Sequence, residues 1–267
     1  MYDKKLLAGK IAVVTGGGTG IGKAVATALA LHGADVALAS RDGERLEAAA
    51  AEIRKATGRR ALGISTDVSD AKAVRAMFDK VESDLGPVSI LINGAAANFV
   101  RPSEMLTSVR FQKVIDIVLH GSFNCAVEAG RRMLPRGEGS IVSLLASYAW
   151  TGAPGFLPSS AAKAGVQAMT KTLGVEWHGR GVRVNAVCPG LIDTPKAASG
   201  FGLRHGCANC CSTASLAVSS APRRTSRTRS SSCARPRRAT WPARPWSWTQ
   251  APRSAAPRTC ASSRRPA

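Results

Sequence analysis

Ile11-Ala12-Val13-Val14-Thr15-Gly16-Gly17-Gly18-Thr19-Gly20-Ile21-Gly22 is an apolar run that ends in a glycine-rich turn. The residues that follow, to about position 32, have the spacing of a helix. A strand, a tight turn and a helix N-terminus in that order make a cradle for a pyrophosphate. The glycines let the backbone approach the phosphates, and the unpaired N–H groups of the helix start favour their charge. A plain tight turn is the alternative reading, and the strand–turn–helix context argues for the nucleotide. Gly16, Gly18, Thr19, Gly20, Ile21 and Gly22, with Thr15 before them, are the expected contacts.

The pattern repeats outward from this stretch. Apolar runs at residues 36–39, 61–64, 88–92, 140–145 and 182–187 read as strands. Helical spacing covers about 44–56, 71–85, 109–133 and 161–178. In the second of these helices Val74, Met77, Phe78 and Val81 share one face. Buried strands alternating with helices predict a parallel sheet covered on both sides, a doubly wound α/β domain of the Rossmann type. Its second strand ends in Ser40-Arg41. An acid there would hold a ribose 2′-hydroxyl, whereas an arginine suits a 2′-phosphate, and Asp42 comes one residue late. NADPH is therefore the expected cofactor; the alternative is that Arg41 is a solvated helix start.

Composition divides the chain. All 17 acidic residues lie before position 200, against 24 lysines and arginines, a net charge of +7. The remainder holds 13 arginines and no acid, which supplies the rest of the +20, and five of the seven cysteines. Residues 1–199 are thus expected to form the nucleotide-binding domain and 200–267 a basic tail. No run approaches the roughly 18 apolar residues of a membrane span, and the polar start is not a signal peptide, so a cytoplasmic location is expected.

Together these residues resemble the short-chain dehydrogenase/reductase family over about residues 10–194. Thr15, Gly16, Gly20 and Gly22 fit its T-G-x3-G-x-G motif, and Asp67-Val68 its adenine-contacting pair. Asn93-Gly94-Ala95-Ala96 looks like its N-N-A-G segment with glycine for the second asparagine. Lys163 fits its active-site lysine. Pro189, Gly190, Ile192 and Thr194 fit the loop that closes on the nicotinamide. Most members place a tyrosine four residues before that lysine; here the stretch reads Ser159-Ser160-Ala161-Ala162-Lys163. The 2,4-dienoyl-CoA reductase branch is a better match. Its A-A-G-N-F is similar to Ala95-Ala96-Ala97-Asn98-Phe99, its D-I-V-L-N-G to Asp116-Ile117-Val118-Leu119-His120-Gly121, and its Y-A-x-T-G to Tyr148-Ala149-Trp150-Thr151-Gly152.

This resemblance implies an NADPH-dependent reductase acting on an acyl-CoA substrate as an auxiliary of fatty-acid oxidation, assembled as a homo-oligomer, usually a tetramer. It makes Tyr148 and Asn98 the catalytic pair, with Lys163 and Ser159 beside them. Another enoyl or 3-oxoacyl thioester, or a carbonyl, is the runner-up substrate; a non-catalytic nucleotide-binding or nucleic-acid-binding protein is the other class. Each residue also has a structural reading. Tyr148 could be a partly buried loop tyrosine, Asn98 a turn cap, Ser159 a helix N-cap and His120 a hydrogen-bonded helix residue. Ala97 replaces a glycine, His120 an asparagine that holds a relay water, and Ala146 a serine. The family's last strand and its D-G-G turn are absent.

After Phe201 the periodicity stops. His205, Cys207, Cys210 and Cys211 crowd like metal ligands but lack a second spaced pair, so no metal is expected. Arg223-Arg224-Thr225-Ser226-Arg227-Thr228-Arg229 would hold nucleic acid only non-specifically. Tryptophan has the single codon TGG, which tests a different origin for the tail. Read two bases out of phase, Thr240 to Ala251 becomes an apolar strand followed by Asp, a small residue and a Gly-compatible codon. A frame change between Ile192 and Cys207 is therefore expected. Resequencing of the gene should place an insertion or deletion in those codons. Recovery of the same frame from independent isolates, with the tail found by mass spectrometry, would refute it.

Overall fold

The structure is a computed structural model that describes residues 3–190 and Ile192. Thr194 and the basic tail, with its candidate metal and nucleic-acid residues, lie outside the described residues. Six strands form one parallel sheet: β1 (Ile11–Thr15), β2 (Asp35–Ser40), β3 (Ala61–Ser65), β4 (Ile90–Asn93), β5 (Gly139–Leu144) and β6 (Val182–Val187). Their order is β3-β2-β1-β4-β5-β6, so the winding reverses direction between β1 and β4. Ligands collect at such a switch point, outside the C-terminal ends of the strands. The doubly wound fold expected from the alternation is the fold observed.

Among the described residues seven α-helices flank the sheet: α1 (Gly20–Leu31), α2 (Gly43–Thr57), α3 (Ala71–Asp84), α4 (Ser108–Ile115), α5 (Gly121–Arg136), α6 (Tyr148–Thr151) and α7 (Leu157–His178). Short polar side chains cap the starts of α2, α3 and α4. Asp42 accepts from the backbone N–H of Arg45 at 3.1 Å, and Asp70 from that of Lys72 at 2.8 Å. Gly58 and Gly137 end α2 and α5 in the left-handed conformation.

Strand alternation sends Ile11 and Val13 to one face of the sheet and Ala12 and Val14 to the other. The first face packs Phe78, Met77, Met133 and Trp177; the second packs Ala26, Leu38, Leu46 and Ile53. A smaller cluster of Val114, Val118, Leu145, Ala162 and Val166 joins α4 and α7 beside the end of β5. Arg132 on α5 pairs with Glu128, Asp79 and Glu82 and lies 5.3 Å from the Phe78 ring centroid, which fastens α5 to α3.

Two expectations need correction. The stretch 109–133 is not one helix: a π turn at Asp116–His120 separates α4 from α5. It holds one residue more than an α turn, and Gly121 directly after it sits so close to Val68 that a Cβ there would lie 2.5 Å from Cγ2. The last helix begins at Leu157, with Pro158 in its first turn, rather than near Ala161. Ser159 is therefore inside the helix and is not its N-cap. Among the described residues no helix is long and apolar enough to cross a membrane. The expected absence of the family's final strand concerns residues outside those described, and β6 is the edge of the described sheet.

Candidate functional site

The turn between β1 and α1 is pressed against the end of β4. Gly16 has φ +71°, and a Cβ on it would lie 2.7 Å from the Gly94 carbonyl oxygen. A Cβ on Gly94 would lie 2.7 Å from the Thr15 oxygen, and one on Gly22 only 2.3 Å from the Gly16 oxygen. Only glycine fits at this spacing. The Thr15 hydroxyl locks the contact: it donates to the Ile92 carbonyl and accepts from the N–H groups of Gly94 and Ala95 at 3.0 and 3.1 Å.

In front of this junction lies a cavity of about 300 Å³. Gly16, Gly18 and Thr19 line it from the turn, Ser40 and Arg41 from the end of β2, Asp67 and Val68 from the segment after β3, and Ala95 from that after β4. The cavity thus brings together eight of the residues expected from the sequence to meet a cofactor. Thr15, Gly20, Ile21, Gly22, Asn93 and Gly94 do not line the cavity; the glycines and Thr15 shape it from behind. Asn93 is buried and donates to the Ser122 carbonyl, while its Oδ1 has no hydrogen-bond partner among the described residues. Asp42, Arg45, Thr66, Ala96 and Ile117 line the cavity without having been anticipated. Thr66 and Ala96 follow strand ends and were findable on that ground. Arg45 lies three residues past the Asp42 cap, whereas Ile117 comes from the π turn and carries no sequence signal.

Arg41, Asp42, Arg45 and Asp67 put charge along the cavity wall. The Asp67 carboxyl accepts from the Ser69 hydroxyl at 2.6 Å and from its N–H at 3.0 Å, which hold it below its ordinary pKa, with a smaller pull from the Arg41 charge. Asp42 is engaged as the cap of α2 and in an ion pair with Arg45 at 3.2 Å. Arg41 is in none of the ion pairs among the described residues.

A second group of side chains stands beside the ends of β4 and β5. Ser159 is buried and its hydroxyl donates to Asn98 Oδ1 at 2.6 Å. Tyr148, on α6 rather than in a loop, lies close enough to Ser159 for the serine to pull its pKa down, and its ring lies 5.3 Å from that of Phe156. Asn98, Tyr148 and Ser159, far apart in sequence, are thus brought together. A serine hydroxyl carries one proton. Given to Asn98, it leaves Ser159 to accept from Tyr148, and it leaves both Asn98 amide hydrogens free for another acceptor. Burial raises the phenol above its ordinary pKa; the Ser159 bond pulls it down and the Cys188 thiol adds to the rise. Lys163 is not among the groups that set it.

Lys163 is buried on α7 and donates to the Leu144 carbonyl. Burial pulls its ammonium down to about 8, against a smaller opposing effect of Cys188. Leu144 also connects the two groups of residues, since its side chain packs against Gly94 at the cavity junction. Pro189 and Gly190 follow β6 and Cys188, and Ile192 is exposed. His120 is more than half exposed and pairs with Asp116 at 3.1 Å on the π turn, a hydrogen-bonded helical position. Among the described residues no group of three His, Cys, Asp or Glu could hold a metal ion.

The model of the short chain dehydrogenase family matches residues 10–201, and the chain belongs to that family. It is 47% identical over 191 residues to a Caenorhabditis elegans protein named "Probable 2,4-dienoyl-CoA reductase [(3E)-enoyl-CoA-producing]", a match that covers 71% of this chain and 62% of the relative. The chain thus spans less than two thirds of that relative's length. It is 38% identical to the peroxisomal 2,4-dienoyl-CoA reductase of Danio rerio, covering 77% and 68% of the two chains. Among solved structures, a short chain dehydrogenase of Bacillus anthracis superposes with a TM-score of 0.67 at 41% identity, covering 70% and 76%. A variant of actinorhodin polyketide ketoreductase solved with NADPH gives 0.69 at 34%, covering 71% and 73%.

The Lys163 environment predicts a pH signature. An unfolded lysine titrates near 10.5 and the folded one at about 8. Between these values the unfolded chain binds the extra proton, so this group makes stability rise with pH from about 8 to 10.5 and contributes no slope below 8. Urea unfolding of the wild type should show that rise relative to Lys163→Met. Parallel pH profiles for the two proteins would show that Lys163 keeps its ordinary pKa.

Proposed function

We propose that the protein is an NADPH-dependent reductase of 2,4-dienoyl-CoA thioesters. The observation that carries this reading is the Tyr148–Ser159–Asn98 cluster. It assembles a phenol and an amide at one point, with the tyrosine from α6 and not from the position four residues before Lys163. The names of the relatives support the substrate class.

The glycine cradle and Arg41 would hold NADPH, with Asp67 and Val68 beside the adenine, Lys163 at the nicotinamide ribose and Pro189, Gly190, Ile192 and Thr194 closing over the ring. When bound, the cofactor supplies a hydride to the far end of the conjugated system. The chain's own residues manage the charge that results. Electrons shift toward the thioester oxygen, giving a dienolate. Asn98, its Oδ1 occupied by Ser159, directs its amide hydrogens to that oxygen. The raised pKa of Tyr148 keeps the phenol protonated at neutral pH, as an acid requires. Protonation at the α carbon then leaves a 3-enoyl thioester, the product named for both relatives. As Tyr148 loses its proton, Ser159 can turn and donate to the phenolate. That is the contact that lowers the phenol's pKa.

Arg41 reads the cofactor in this account, because Asp42 is already committed to Arg45 and the start of α2. Arg41→Asp should raise the Kd for NADPH far more than that for NADH, measured by fluorescence titration. Equal losses would remove Arg41 from phosphate recognition.

In a protein with the reading frame restored, NADPH should be oxidised with a 2,4-dienoyl-CoA and not with a 3-oxoacyl-CoA. Tyr148→Phe should keep NADPH binding and cut turnover by roughly 10² or more. Asn98→Ala should lower turnover by a similar order, about 10². Ser159→Ala should be milder, and Lys163→Ala should damage both binding and rate. Near-normal turnover in Tyr148→Phe, with none in Ser159→Ala, would favour a reductase built on the Ser–Lys pair.

A further inference from the structure

Three residues beyond Asn98, the loop after β4 carries a cation that has no ion-pair partner among the described residues. The Arg101 Nε is shielded from solvent and has no hydrogen-bond partner among them. Arg101 takes part in none of the ion pairs among the described residues, although Glu104 lies only three positions away. A guanidinium cannot shed its charge, so it stays a cation even when partly buried. Leaving its buried N–H without an acceptor is unfavourable. The backbone holds the residue in place: Arg101 N–H donates to the Gly155 carbonyl at 3.1 Å. That bond ties the Asn98 loop to the segment between α6 and α7. Gly155 also leaves room for Val100, since a Cβ there would lie 2.8 Å from Val100 Cγ1. Val100 is about half exposed beside the arginine, and the Phe99 ring packs on the far side of Asn98 into the α4–α7 cluster.

The loop therefore presents, in order, an amide donor at Asn98, an apolar side chain at Val100 and an unpaired guanidinium at Arg101. Three residue steps span at most about 10 Å, short of an extended pantetheine arm, so the arginine side chain supplies the remaining reach. A ligand that matches has a carbonyl oxygen at one end, an apolar or neutral linker and an anionic group at the other. We propose that Arg101 binds a phosphate of the substrate's coenzyme A, and so fixes the thioester against Asn98. The proposal rests on the acyl-CoA reading above and adds to it a residue that selects the phosphorylated carrier. It is a role apart from Arg41, which serves the cofactor cavity.

The test is equilibrium binding of full-length protein, in the presence of NADPH, to three probes. These are a 2,4-dienoyl-CoA, the same acyl group on dephospho-CoA, and the same acyl group on N-acetylcysteamine, which has no phosphate. Arg101→Gln should weaken the CoA thioester about tenfold or more, the worth of one lost charge-assisted contact. It should leave the affinities for the N-acetylcysteamine thioester and for NADPH unchanged, and Arg101→Lys should restore part of the loss. The wild-type preference for the CoA thioester should shrink with added salt, and that salt dependence should be weaker in Arg101→Gln. If dephospho-CoA behaves as CoA does, the contact is to the pyrophosphate; if it behaves as the variant does, the contact is to the 3′-phosphate. Equal weakening of all three thioesters would overturn the proposal in favour of a structural role for Arg101. So would an unchanged affinity for the CoA thioester in Arg101→Gln. A wild type that binds NADPH but none of the thioesters would overturn the acyl-CoA reading itself.

Discussion

One hydroxyl and two glycines hold the site together. Thr15 bonds the carbonyl before Asn93 and the two N–H groups after it, while Gly16 and Gly94 let the backbones of β1 and β4 meet closer than any side chain allows. Everything functional hangs from this junction. The cavity opens in front of it. The Asn98 loop starts from it, and Leu144 packs against it while its carbonyl anchors Lys163. A change there would displace the cofactor cradle and the chemistry-bearing side chains together. The two functions of the site are therefore mechanically one.

The polar cluster obeys a count of protons. Ser159 has one, and the hydrogen bond to Asn98 fixes where it goes. That direction leaves the serine oxygen able to accept a proton from a neighbour and the Asn98 amide hydrogens uncommitted to Ser159. Lys163 sits near by without a carboxylate, its charge weakened by burial rather than balanced. Its bond to the Leu144 carbonyl holds the ammonium in place.

Much of this was legible before any coordinates. Parallel strands buried on both faces are continuous apolar runs, so the alternation with helices revealed the sheet, and the glycine turn located its switch point. The cavity residues on strand ends were legible for the same reason. What stayed hidden depended on contacts far apart in the chain. Ser159 and Asn98 are 61 positions apart, and nothing in either neighbourhood announces their bond. The serine's position near a helix start made a cap plausible, until Pro158 and Leu157 proved to open the helix first. Ile117 and Arg45 reach the cavity through the twist of a π turn and the run of a capped helix, neither of which shows in residue type. The abrupt change of composition past position 200 was visible only in the sequence.

The π turn at Asp116–His120 also limits how this chain can vary in length. An extra residue within a helix shifts the phase of all that follows by about 100°. Here the shift turns Cys125, Ala129 and Met133 toward the sheet, while Val114 on the preceding helix faces α7. Deleting one residue would give a more regular helix and better local hydrogen bonding. It would also rotate α5 off its own core. The irregular geometry is thus protected by the packing downstream of it. Insertions and deletions should be tolerated in the surface loops and excluded from this one turn, where the locally favoured conformation is the globally wrong one.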